Sequence, residues 1–135
     1  MKKIVIIDGQ GGRLGQLLVE MIKNREFVCE VYAIGTNSIA TSAMIKAGAD
    51  YGATGENSVI VACRDADVII GPVGIVSADS MLGEVTPAMA VAVGQSRAVR
   101  LLLPVNRCNT RIVGVQSLTM TELVKETAEH LKELL

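Results

Sequence analysis

Residues Lys3 to Asp8 read as a β-strand and run without a spacer into Gly9-Gln10-Gly11-Gly12, after which Leu14, Leu17, Leu18, Met21 and Ile22 recur at helical spacing. A strand, a tight glycine turn and an amphipathic helix from about Arg13 to Asn24 form the first half of a crossover unit. Such a unit must return to a parallel strand, so this junction restricts the fold more than any other stretch does. The rest of the sequence repeats the alternation. Val28 to Ile34 reads as a strand, followed by a helix capped around Asn37 or Ser38 and stopped at Gly48. Ala49 to Ala53 reads as a short strand, Glu56 to Asp65 as a helix and Asp67 to Ile70 as a strand closed by Gly71-Pro72. Thr86-Pro87 opens a helix to Gln95 that is apolar nearly all round. Ala98 to Val105 and Arg111 to Val115 read as two more strands, and Thr119 to Leu135 as a closing amphipathic helix.

Half of the 135 residues are hydrophobic and only 2% are aromatic, so the core must be built from Val, Ile, Leu, Ala and Met. β-Branched residues of this kind fit a sheet covered on both faces. A chain of this length buries roughly two thirds of its unfolded surface as one unit. The expected architecture is a single three-layer, Rossmann-like α/β domain over residues 1–135, with a mostly parallel sheet of about six strands.

Composition also excludes partners. The formal net charge is −1 and no dense basic run occurs, which argues against nucleic acid and against a membrane surface. Phe27, Tyr32 and Tyr51 are too few to make base-stacking platforms. Ile4 to Ile7 is too short for a secretory h-region and is ended by Asp8, and no uncharged stretch reaches the ~18 apolar residues of a membrane span. Three widely spaced cysteines, Cys29, Cys63 and Cys108, fit reduced thiols, so a cytoplasmic location is expected.

In an open parallel sheet, ligands settle beyond the carboxyl ends of the strands, where strand order reverses. The candidate binding residues at that edge are Asp8, Gly9, Gln10, Gly11, Gly12 and Arg13 after the first strand, and Thr36, Asn37 and Ser38 after the second. Thr54, Glu56 and Asn57 follow the third strand, and Asn106 and Arg107 follow a later one. The glycine turn lets backbone N–H groups approach an anion, with the helix N-terminus and Arg13 adding positive charge; alternatively the glycines serve only tight packing. Three features depart from a dinucleotide fingerprint. Position 14 is Leu and the glycine falls at 15, Asp8 places a carboxylate beside the turn, and Ile34-Gly35-Thr36 lacks the acid that would hold an adenosine ribose. Thr36, Asn37 and Ser38 offer donors to a ribose phosphate, as an NADP-like dinucleotide would require, or one of them caps the next helix. Asp8 either holds Mg²⁺ with Glu56 or Asp79 as helpers, or accepts hydrogen bonds from the turn it precedes. Arg107 suits carboxylate or phosphate recognition. His130 reads as a solvated residue of the last helix.

The stretches IVIIDGQGGRLG, AIGTNSIATSAMIKAGADYGATGEN, VIIGPVGIV, GEVTPAMAVAVGQSRA and LLLPVNRCN resemble those of a small bacterial family classed as a domain of unknown function. The resemblance runs over nearly the whole chain and implies no activity, ligand or catalytic residue. The expected function is binding of a small molecule with a phosphate or other anionic group, such as a nucleotide or phosphorylated metabolite. The alternatives are an enzyme acting on a nucleotide or sugar phosphate, with Asp8 as base or metal ligand, and a structural assembly partner. The apolar helix from Pro87 and the uncharged loop after Pro72 predict a homo-oligomer.

Overall fold

The computed structural model describes residues 1–105 and 109–135. Five strands, β1 (Lys3–Asp8), β2 (Glu30–Gly35), β3 (Tyr51–Thr54), β4 (Val68–Pro72) and β5 (Val99–Leu103), form one sheet in the order β3-β2-β1-β4-β5. Every pairing is parallel. The helices between them are α1 (Arg13–Asn24), α2 (Ser38–Lys46), α3 (Glu56–Cys63) and α4 (Pro87–Gln95), and α5 (Met120–Leu134) closes the chain.

β1 occupies the centre because it carries the sequence's densest β-branched run. Ile4, Val5, Ile6 and Ile7 are each at most 2% exposed, and burying each side chain contributes roughly 1.5–3 kcal/mol. Alternate residues serve opposite faces. Ile4 and Ile6 meet Leu18, Ile22, Met44, Val124 and Leu131 from α1, α2 and α5. Val5 and Ile7 meet Val59, Ile75, Met89 and Val93 from α3, the segment after β4, and α4. The result is the three-layer arrangement that the apolar composition implies.

The closing helix starts with a capping box: Thr119 accepts from the Glu122 N–H while the Glu122 side chain accepts from the Thr119 N–H. Among the described residues no helix is long and apolar enough to cross a membrane.

Two expectations need correction. The sheet has five strands among the described residues, not about six. Arg111 to Val115 is a turn rather than a strand, with the Val115 N–H donating to the Ile112 carbonyl, Gly114 at φ 87 and Val113 98% exposed. Its apolar residues have the composition of a strand, but a left-handed glycine bends the backbone and no strand among the described residues pairs with it. Elsewhere only element ends shift: β2 begins at Glu30 rather than Val28, and β4 continues through Gly71 and Pro72.

The chain winds from β1 to β2 to β3 in one direction, then crosses back through α3 to lay β4 on the other side of β1. Strand order therefore reverses between β1 and β4. In register, Asp8 pairs with Gly35 and Gly35 with Thr54, so the ends of β1, β2 and β3 finish level and their following loops share one edge.

Candidate functional site

Asp8 is 2% exposed at the end of β1. Its Oδ1 accepts from the Gly9 N–H at 2.8 Å and its Oδ2 from the Gly15 N–H at 2.7 Å. The carboxylate thus ties the strand end to the first turn of α1. Burial raises its pKa, the two N–H groups oppose that rise, and the charge of Glu84 adds to it. Of the two roles open to Asp8, the geometry corresponds to accepting hydrogen bonds from its own turn. Among the described residues no group of three or more His, Cys, Asp or Glu could hold a metal ion. Glu56 accepts from the Thr86 hydroxyl at 2.6 Å.

The turn closes with the Gly12 N–H donating to the Gly9 carbonyl at 2.9 Å. Gly12 has φ 73, and a Cβ there would lie 2.7 Å from the Ala40 Cα in α2. Only glycine lets the start of α1 pass this close to another backbone. Gln10 also has a positive φ, 49, and its N–H donates at 2.8 Å to Oε1 of Glu84, a residue 74 positions away. The same oxygen accepts from the Thr36 hydroxyl at 2.6 Å and from Asn37 Nδ2 at 2.9 Å. Donors from the loops after β1 and β2 therefore converge on one carboxylate oxygen. Partial burial pushes the Glu84 pKa up, but the Gln10 N–H, the Thr36 hydroxyl and the Asn37 amide together outweigh it and hold the carboxyl below the ordinary glutamate value.

Asn37 is fully engaged. Its Oδ1 caps α2 by accepting from the Ala40 N–H at 2.9 Å, and Nδ2 also donates to the Gln10 carbonyl at 2.9 Å. The capping role expected at Asn37 or Ser38 thus falls to Asn37. Ser38 is exposed at a cleft of about 460 Å³ between α1 and α2, which Lys46 also lines. Thr54 lies 2.7 Å, hydroxyl to hydroxyl, from Thr41, and Asn57 is exposed on α3. Gly11 and Arg13 are exposed, and among the described residues their N–H groups meet no acceptor and the Arg13 guanidinium has no ion pair. Asn106, Arg107 and Cys108 lie outside the described residues. Cys29 and Cys63 are buried free thiols; burial raises the first and carries the second to about 11, so neither is a nucleophile near neutral pH.

The residue that sequence reasoning missed is Glu84. Its signal was present: with Asp79 it supplies the only charges between Asp67 and Arg97, and it follows directly on Gly83. An isolated acid at a glycine, in a long uncharged segment, is a candidate for a placed carboxylate.

Fold and site together define a parallel, doubly wound α/β protein whose glycine turn lies at the switch point of the sheet. The model of a family described as a domain of unknown function, DUF3842, matches residues 3–135, and the chain belongs to that family. No curated protein matches the chain. Among solved structures, the chain is similar to a dodecameric FMN-dependent UbiX-like decarboxylase from Escherichia coli O157:H7, at 19% identity and a TM-score of 0.45, covering 99% of this chain and 76% of that one. Nothing about ligand or assembly follows from a likeness of that size.

Proposed function

We propose that this protein is a small-molecule binding domain that receives an anionic ligand, a nucleotide or phosphorylated metabolite, over the turn between β1 and α1. The observation that supports this reading best is the convergence of the Gln10 N–H, the Thr36 hydroxyl and the Asn37 amide on one oxyanion, that of Glu84. Donors from two loops, directed at a single negative oxygen, are what a phosphate or carboxylate of a ligand requires. Beside them the N–H groups of Gly11 and Arg13, which meet no acceptor among the described residues, stand at the start of a 12-residue helix, where the helix dipole favours negative charge. Binding is better supported than catalysis by Asp8, because both of its oxygens are tied to backbone N–H groups.

The reading also includes a second copy of the chain. Ile60 on α3 and Pro87, Ala88 and Val91 on α4 line an apolar groove of about 650 Å³, and Val91 is 52% exposed. A homo-oligomer would cover that surface.

A thermal-shift titration with inorganic pyrophosphate and nucleoside phosphates tests the binding reading, since a ligand that favours the folded state raises its melting temperature. The expected result is a concentration-dependent rise for the wild type that is weakened at least several-fold by Arg13→Ala and by Gly11→Val. A wild type that responds to none of these anions would overturn the proposal.

A further inference from the structure

We propose that Glu84 is the site's own occupant: an internal carboxylate held over the turn by the strap of residues 77–86, which an incoming ligand oxyanion must displace. This rests on the anion-binding reading above and adds how that site is regulated. The Gln10 N–H, the Thr36 hydroxyl and the Asn37 amide are already engaged by one negative oxygen at 2.6–2.9 Å. A second anion cannot share three donors with the first, because two like charges at that separation repel strongly in a partly desolvated site. A phosphate oxygen that replaces Glu84 keeps every donor satisfied, and one that arrives beside it faces both Glu84 and Asp8.

The strap is anchored at its base and strained at its tip. Asp79, Met81 and Leu82 have φ of 66, 56 and 56, and Gly83 has 89, so its tip is held in conformations that L-residues rarely adopt. Met81 and Val85 are buried on either side, while Leu82 between them is 99% exposed. Met81 and Val85 anchor the strap in the core and Leu82 alone gains nothing by packing, so the part an incoming anion displaces is the Glu84 side chain, the polar link between strap and turn. Turn and strap also fit one another closely. A Cβ on Gly9 would come within 2.5 Å of Thr36 Oγ1, 2.8 Å of Met81 Sδ and 2.9 Å of Glu84 Oε1, so only glycine at position 9 permits the closed contact.

The test is calorimetric titration of inorganic pyrophosphate into the full chain as wild type, E84A, E84Q, and E84A combined with Thr36→Val, with melting curves on each. Removing the occupant is expected to raise affinity at least tenfold in E84A. E84Q keeps the length but loses the charge, so its gain is expected to be smaller. Thr36→Val is expected to cancel the gain, which places the new anion on the vacated donors. Should E84A fail to fold, E84Q alone decides the direction. An affinity in E84A or E84Q equal to or weaker than wild type overturns the proposal, the weaker case meaning that Glu84 itself contacts the ligand. If pyrophosphate binds wild type and E84A alike and Arg13→Ala weakens both, the binding reading survives and the displaceable carboxylate does not. If none of the proteins binds, both fall.

Discussion

At Gly12 the backbone lies at φ 73 with the Ala40 Cα 2.7 Å from where a Cβ would stand, whereas at Gly11 a Cβ would meet nothing within 4 Å. The two neighbours therefore serve different ends: Gly12 allows two helices to pack, and Gly11 leaves an amide open to solvent. Gly12→Ala combines a left-handed alanine, at roughly 1–2 kcal/mol, with a forced shift of the α2 backbone, at about 1–3 kcal/mol. Urea unfolding should show a loss of about 2–5 kcal/mol for Gly12→Ala and a change within about 0.5 kcal/mol for Gly11→Ala, as for surface positions generally. Equal losses would mean that the turn is not divided in this way. From sequence the four glycines at 9, 11, 12 and 15 looked like one pattern, because glycine spacing shows where the backbone is free and not which contact uses that freedom.

Among the elements, β1, α1 and α4 were legible to the residue, since each has its end marked by local chemistry: Asp8 and Gly9 after β1, Gly12 before α1, and Thr86-Pro87 before α4. The segment 111–115 was not, because a strand exists only with a partner, and pairing is not written in local composition. The strap is the element whose behaviour should depend on pH. The folded pKa of Glu84 lies below its ordinary value near 4.5, so the stability it lends is present above that value and is lost as pH falls through the lower folded one. Asp8 has the opposite sign: burial raises its folded pKa, so its favourable contribution is full in acid and is lost as pH rises through the folded value. Acid thus loosens the strap while it relieves Asp8. Pepsin, which cuts in acid, should attack the exposed Leu82 increasingly in the wild type as pH falls below about 4.5, relative to E84A, whose strap lacks the carboxylate at every pH. A wild-type to E84A cutting ratio that stays constant with pH would show that the carboxylate does not hold the strap.

Over the whole molecule, the reversal of strand order between β1 and β4 places the loops after β1, β2 and β4 at one edge of the sheet. The strand–helix alternation made this topology legible, and with it the right edge of the sheet for Asp8 to Arg13 and Thr36 to Asn37. Glu84 stands in the sequence as an isolated acid, but its partners were illegible, because it reaches Gln10 from 74 positions along the chain and only the folded sheet brings them together. The central claim is that the donors around Gln10 form an anion site that Glu84 fills until a ligand arrives. It is tested most directly by the backbone amide NMR signals of Gln10 and Gly11 in isotope-labelled E84A during a titration with inorganic pyrophosphate. Saturable shifts centred on those two amides are the predicted result, with the same signals in wild type needing at least tenfold more anion. Signals that stay still in E84A at saturating pyrophosphate would contradict it.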